Sequence, residues 1–159
     1  MASHARSQPT LKQLSDSTDH FVTDRLTAER LNESHLADLV ALHQDPDVSR
    51  YLGGVRSAET TKAYLGVNMA HWDQHSFGLW VLRTTDGAFA GRAGIRHILV
   101  DDADEIEIFH AFKREFWGRG LASETATALT KTGMSRLMLP SLIASSMSRT
   151  ARLAACWRS

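Results

Sequence analysis

Three patterns follow one another between Glu105 and Lys131, and they leave the chain few folds to choose from. Glu105-Ile106-Glu107-Ile108-Phe109-His110-Ala111-Phe112 alternates with a period of two, as a strand does. Trp117-Gly118-Arg119-Gly120-Leu121-Ala122 then sets two glycines one residue apart, and a helix-like run follows from Glu124 to Lys131. A strand that passes through a glycine turn into a helix leaves the first helical N–H groups without intrahelical partners. Glycine admits a ligand close to the backbone, and the helix N-terminus favours negative charge. The junction therefore reads as a phosphate seat, or else as plain turn chemistry, which also favours glycine before a helix. It is not a P-loop, because no G-x-x-x-x-G-K-[ST] occurs. It is not a dinucleotide fingerprint either, because Ser123 stands at the third glycine place and no early βαβ unit surrounds it.

The whole chain bounds the context. Its 159 residues suit one domain around one core, and 43% hydrophobic with 23% charged residues fits a soluble globular protein. The formal net charge of zero argues against a nucleic-acid partner, and no apolar run is long enough to span a membrane. Residues 1–22 are expected to form a disordered leader. Met1 to Asp19 is polar and rich in Ser, Thr and His, and it lacks the apolar stretch of a secretory signal. The single Cys156 excludes an internal disulfide and fits a cytoplasmic location.

Asp24 to Leu31 alternates as a first strand. Asn32 to Ser34 offers caps for a helix carrying Leu36, Leu39, Val40 and Leu42, and Asp45-Pro46-Asp47 breaks it and starts a short second helix. Ser57 caps a longer helix to about His75. Phe77 to Leu82 and Phe89 to Val100 are strands joined by the hairpin signal Asp86-Gly87, with Gly91 and Gly94 weakening the second or marking bulges. Asp101 to Asp104 is an acidic turn. A helix runs from Leu121 to Met134, and Leu139 to Ala144 is a last short strand. The order β-α-α-β-β-β-α-β predicts an α+β fold with a mixed, mostly antiparallel sheet flanked by helices.

Several stretches carry a resemblance. Thr23-Asp24-Arg25-Leu26, Asp45 to Gly54, Phe77-Gly78-Leu79-Trp80-Val81, Glu105 to Ile108 and Phe116 to Ala126 resemble, in order and spacing, the RimJ/RimL-type N-acetyltransferases of the GNAT superfamily. The superfamily's Gln/Arg-x-x-Gly-x-Gly/Ala has Glu115 in its first place here, while Gly118 and Gly120 match. The resemblance spans about residues 23–144 and implies a GNAT-like acetyltransferase domain using acetyl-CoA and no metal. It implies that backbone N–H groups from Trp117, Gly118, Arg119, Gly120, Leu121 and Ala122 hold the CoA pyrophosphate. It also implies that Phe109, His110 and Ala111 pair with the pantetheine arm, one of their N–H groups facing the oxyanion. The acceptor it implies is a primary amine, on a protein N-terminus or a small molecule.

Acetyl transfer to an amine needs the amine neutral, and a base within reach meets that need. Glu107 and then Glu105 are the candidates, sharing one strand face with Phe109; His97 and His110 stand behind them, and an exposed acidic strand edge is the plainer alternative. Trp72, Phe77 and Trp80 read as core rather than acceptor pocket. His4, His20, His35, His43, His71 and His75 read as surface residues.

The resemblance stops after Ala144. The family continues into a segment like N-x-x-S-R-R-V-L-E-K-L-G, a further helix and two more strands, whereas residues 145–159 carry arginines and no acid. Permitted codons for Ser146 to Ser159, read after dropping two bases, spell DVENGASRRVLEK. The tail is therefore expected to be a frameshift or truncation product. Loss of the C-terminal helix and strands would leave Leu139 to Ala144 as an exposed apolar edge. That edge predicts a homo-oligomer, with impaired catalysis. The alternative function is a CoA-binding or self-associating module.

Overall fold

The computed structural model describes residues 18–139 and 142–144. Six strands form one sheet in sequence order: β1 (His20–Val22), β2 (Leu26–Arg30), β3 (Leu79–Thr84), β4 (Phe89–Val100), β5 (Ala103–Phe112) and β6 (Ile143–Ala144). The first five run antiparallel, and β6 joins β5 in parallel at Glu107 and Ile108. The helices are α1 (Leu36–Gln44), α2 (Pro46–Ser49), α3 (Ala58–His75) and α4 (Leu121–Lys131), the last extended by a π-helical turn, Thr132–Arg136. This is the α+β fold expected from the sequence.

Local chemistry explains the boundaries. Asn32 accepts from Ser34 N at 2.9 Å while His35 Nδ1 accepts from Asn32 N at 3.0 Å, a reciprocal cap ahead of α1. Asp45 caps α2 with Pro46 in its first turn, and Ser57 Oγ accepts from Thr60 N at 3.1 Å to start α3. Ser76, at φ 61°, closes α3 in the left-handed conformation. Asp101 and Asp102 have φ of 50° and 63°, so β4 and β5 are joined by a two-residue turn positive at both places. The acidic turn is thus shorter than expected, and Ala103 and Asp104 belong to β5.

Two layers cover the sheet. Leu31, Leu39 and Leu65 from the α1/α3 side pack on Leu79, Val81 and Phe109. On the other side Leu121 and Leu129 of α4 pack with Leu82, Ile95, Ile108 and Phe112. Trp72, Phe77 and Trp80 are core, as expected: Trp72 and Trp80 meet edge to face at 4.9 Å, and Trp72 Nε1 donates to Leu79 O at 2.8 Å. Arg83 ties α1 to the sheet by bonding Glu29 at 2.6 Å and Asp38 at 3.2 Å.

The structure corrects several expectations. The supposed leader overlaps a strand, because His20 to Val22 pairs with Thr27 to Glu29 of β2; residues 1–17 lie outside the description. His35 and His43 are not surface residues but 2% and 0% exposed. Each is buried because its ring is satisfied, His35 by the cap and His43 by Thr61 and Arg92. Gly91 does border a bulge, since Leu82 pairs Gly91 and Arg83 pairs Phe89 with Ala90 as the extra residue, whereas Gly94 sits in regular pairing. Gly94 is required for space, since a Cβ there would lie 2.7 Å from the Phe109 ring. The last strand is shorter than expected, and Leu142 is 1% exposed, so that side chain belongs to the core rather than to an apolar edge. The tail 145–159 lies outside the described residues.

Candidate active site

The strand-turn-helix passage forms as the sequence suggests. Gly118 and Gly120 both have φ 74°, a conformation costly for any residue with a Cβ. Gly120 is the N-cap of α4, no side chain caps that end, and Glu124 N is bonded to Gly120 O at 3.1 Å. The N–H groups of Leu121, Ala122 and Ser123 precede that bond and have no intrahelical acceptor. They line a cleft of about 400 Å³ together with Gly118, Trp117 and, from β5, His110 and Phe112. Tyr51 and Phe116 complete its walls; neither was foreseen, Tyr51 because it reaches the cleft from a distant loop, meeting Trp117 edge to face at 5.9 Å.

A clamp fixes this turn, and no local motif announced it. Glu124 accepts from Thr23 Oγ1 at 2.6 Å and from Arg25 Nε at 2.9 Å, while Arg25 Nη1 donates to Arg119 O at 2.7 Å. These hydrogen bonds hold the Glu124 carboxyl below the usual range. Arg119 contributes its carbonyl to the clamp, and its side chain rests over the Phe116 ring, 5.6 Å from the centroid, instead of lining the cleft.

The cleft continues along β5, where His110 and Phe112 line it. Lys113 N donates to Ala90 O at 2.9 Å, and Ile95 N donates across to Gly78 O at 3.0 Å. The antiparallel alternation then turns the N–H and C=O of Phe109 and Ala111 toward β4 and those of His110 and Phe112 away from it. Among the described residues, β6 pairs β5 at Glu107 and Ile108. Phe112 O is taken by Trp117 Nε1 at 2.9 Å. His110 is therefore the residue, among the three expected to meet a pantetheine arm, whose main chain turns away from β4. Burial, with Arg92 nearby, lowers the pKa of its ring, so the imidazole is neutral at pH 7.

The two candidate bases lie elsewhere. Glu107 is 5% exposed on the α1/α3 face, opposite Arg96 in register, and accepts from Arg96 Nε at 2.7 Å. Its other oxygen has no protein partner among the described residues. Glu105 lies further toward the hairpin, opposite Ile98. Glu107 precedes His110 by three residues, about 10 Å along the strand. The structure thus places the glycine turn and the Glu107 carboxylate on opposite faces of the sheet. His97 lies with His71 and His75 around Phe77, His75 and His97 at 4.4 Å.

Comparison with known proteins agrees with this geometry. The acetyltransferase (GNAT) domain family matches residues 25–155, a span that enters the tail. An acetyltransferase of Agrobacterium tumefaciens str. C58 superposes with a TM-score of 0.69 at 25% identity, over 79% of this chain and 72% of that one. A GNAT-family acetyltransferase of Bordetella pertussis gives 0.68 at 21% identity, over 79% and 77%. The ribosomal L7/L12 alpha-N-protein acetyltransferase RimL, solved with coenzyme A, gives 0.60 at 19% identity, over 78% and 72%. With a match over residues 25–155, the chain belongs to the GNAT acetyltransferase family.

Proposed function

We propose that the protein is an acetyl-CoA-dependent N-acetyltransferase acting on a primary amine. The observation that carries this is a single cleft lined both by the start of α4, whose first N–H groups have no intrahelical acceptor, and by His110 of β5. The Gly118 and Gly120 turn and the N–H groups of Leu121, Ala122 and Ser123 receive the pyrophosphate, and Trp117 walls it. The main chain of His110 pairs with the pantetheine arm, and its N–H is the donor for the thioester oxygen as negative charge develops there. Glu107 takes the amine proton, directly or through water; the amine nitrogen attacks the acetyl carbon, the C–S bond breaks and the thiolate leaves. RimL, solved with coenzyme A, supports the co-substrate, and its protein N-terminal acceptor is one class open to this chain. Calorimetric titration with CoA, followed by an amine panel with thiol detection, tests the reading; absence of CoA binding would contradict it.

A second reading, a CoA-binding module without turnover, is favoured by the Arg96 contact that already engages Glu107. Glu107→Gln separates the two: an enzyme loses turnover and keeps CoA affinity, whereas a module has no turnover to lose.

A further inference from the structure

Arg92, on β4, is 3% exposed, and its protein bond is Nε to His43 Nε2 at 3.1 Å. Because that His43 nitrogen accepts, Nδ1 carries the proton and donates to Thr61 Oγ1 at 3.0 Å. His43 is therefore neutral and gives Arg92 no counter-charge. Arg25, Arg30, Arg50, Arg83, Arg96 and Arg114 each meet a carboxylate. No carboxylate pairs with Arg92 or Arg56 among the described residues. Buried guanidinium groups are ordinarily paired, since removal from water is costly.

Arg56, beside Arg92, donates to Leu52 O at 3.2 Å and meets no carboxylate among the described residues. The Arg92 guanidinium carbon lies 5.0 Å from the Tyr64 ring centroid and 5.8 Å from that of Phe109, and Arg56 lies 5.3 Å from the Tyr64 ring. The Tyr64 hydroxyl is buried without a hydrogen-bond partner among the described residues. Arg96, against the Phe109 ring at 4.3 Å, is occupied by Glu107. An unpaired guanidinium and an orphaned hydroxyl thus converge beside Phe109, on the face that carries Glu107.

Resting on the amine-acetylating reading above, we propose that the acceptor carries a carboxylate, received by Arg92 and Arg56 with a hydrogen bond from the Tyr64 hydroxyl. A guanidinium presents two parallel N–H donors to a carboxylate, a fit that a carboxamide cannot reproduce. The carboxylate is either the α-carboxylate of a free amino acid or an acidic side chain next to a protein N-terminus.

The test needs no turnover. The full chain, with and without CoA, is titrated calorimetrically with N-acetylalanine and N-acetylalaninamide, and with acetylated, C-terminally amidated peptides beginning Ala-Glu or Ala-Gln. The carboxylate member of at least one pair is expected to bind roughly tenfold or more tightly than its amide. A preference in the first pair assigns a free amino acid, and one in the second assigns a protein N-terminus. Arg92→Met should erase the preference; Tyr64→Phe, which keeps the ring, should reduce it several-fold and decides the matter if Arg92→Met does not fold. Equal binding within both pairs, or a preference that survives the variants, overturns the proposal. Carboxylate preference without acetylation of any amine keeps this site and removes the enzyme reading. Acetylation of amines indifferent to the carboxylate does the reverse.

Discussion

On its α4 side β5 faces a seat made of peptide N–H groups, whereas on its α1/α3 side it faces charged side chains from other elements. The seat needs Gly118, Gly120 and the first turn of one helix, all within a few residues. The charged side draws His43 from α1, Tyr64 from α3, Arg92 and Arg96 from β4, and Glu107 and Phe109 from β5. A site made of main chain is insensitive to most side-chain changes and can serve many relatives with one co-substrate. A site made of side chains can be rewritten residue by residue, so the proposed choice of acceptor falls on that side.

The largest effect expected to separate the two faces is that of Glu107→Gln. Turnover should fall about 10²–10⁴-fold, the usual contribution of a general base, while calorimetry shows CoA affinity within error of the parent. Undiminished turnover would remove Glu107 from the chemistry. Gly120→Val attacks the other face. A β-branched residue at φ 74° costs roughly 1–3 kcal/mol and displaces the first N–H groups of α4, so CoA affinity should drop at least tenfold. Binding of N-acetylalanine should stay unchanged, and a parallel loss would show that the faces are coupled.

The next effect is one of pH. Burial first, then Arg92 and Arg56, hold the pKa of His43 down to about 3, against 6.5 for the free side chain. The unfolded chain then binds a proton below pH 6.5 that the folded chain refuses. The His43 contribution is fully present above pH 6.5 and is lost as the pH falls toward 3. Between pH 7 and 5 it amounts to about 2 kcal/mol, at 1.36 kcal/mol per pH unit below 6.5. Denaturant midpoints of the parent and of His43→Gln should converge over that interval; parallel curves would break the link between His43 and the charged face. The smallest effect belongs to the clamp. Glu124→Gln should cost about 1 kcal/mol, because Arg25 is half-exposed and water screens the pair. The lowered Glu124 carboxyl makes its contribution fall away only as the pH drops below about 4.5.

The same contrast decides what could be read in advance. The alternation of β5, the Ser57 cap and the glycine turn are local, and each formed where the residues indicated. The pairing edge of His110 was not legible, because it depends on which residues of β5 face β4, a matter of register between strands. His43 looked like a surface residue because polarity alone was visible; its burial follows from Thr61 and Arg92, 18 and 49 positions away. The strand at His20 to Val22 is three residues long, too short for its own pattern to show, and it exists by pairing with β2.

The contact between Thr23 and Glu124 spans 101 positions. Closing a loop of that length early in folding has little to offset its entropy, so such a latch forms after the strands between its ends have docked. The seat at Gly118 and Gly120 is held by that latch through Arg25 and Arg119. We therefore expect the capacity to bind coenzyme to arise in the final kinetic phase of refolding, so that a CoA probe added during refolding would count only finished molecules.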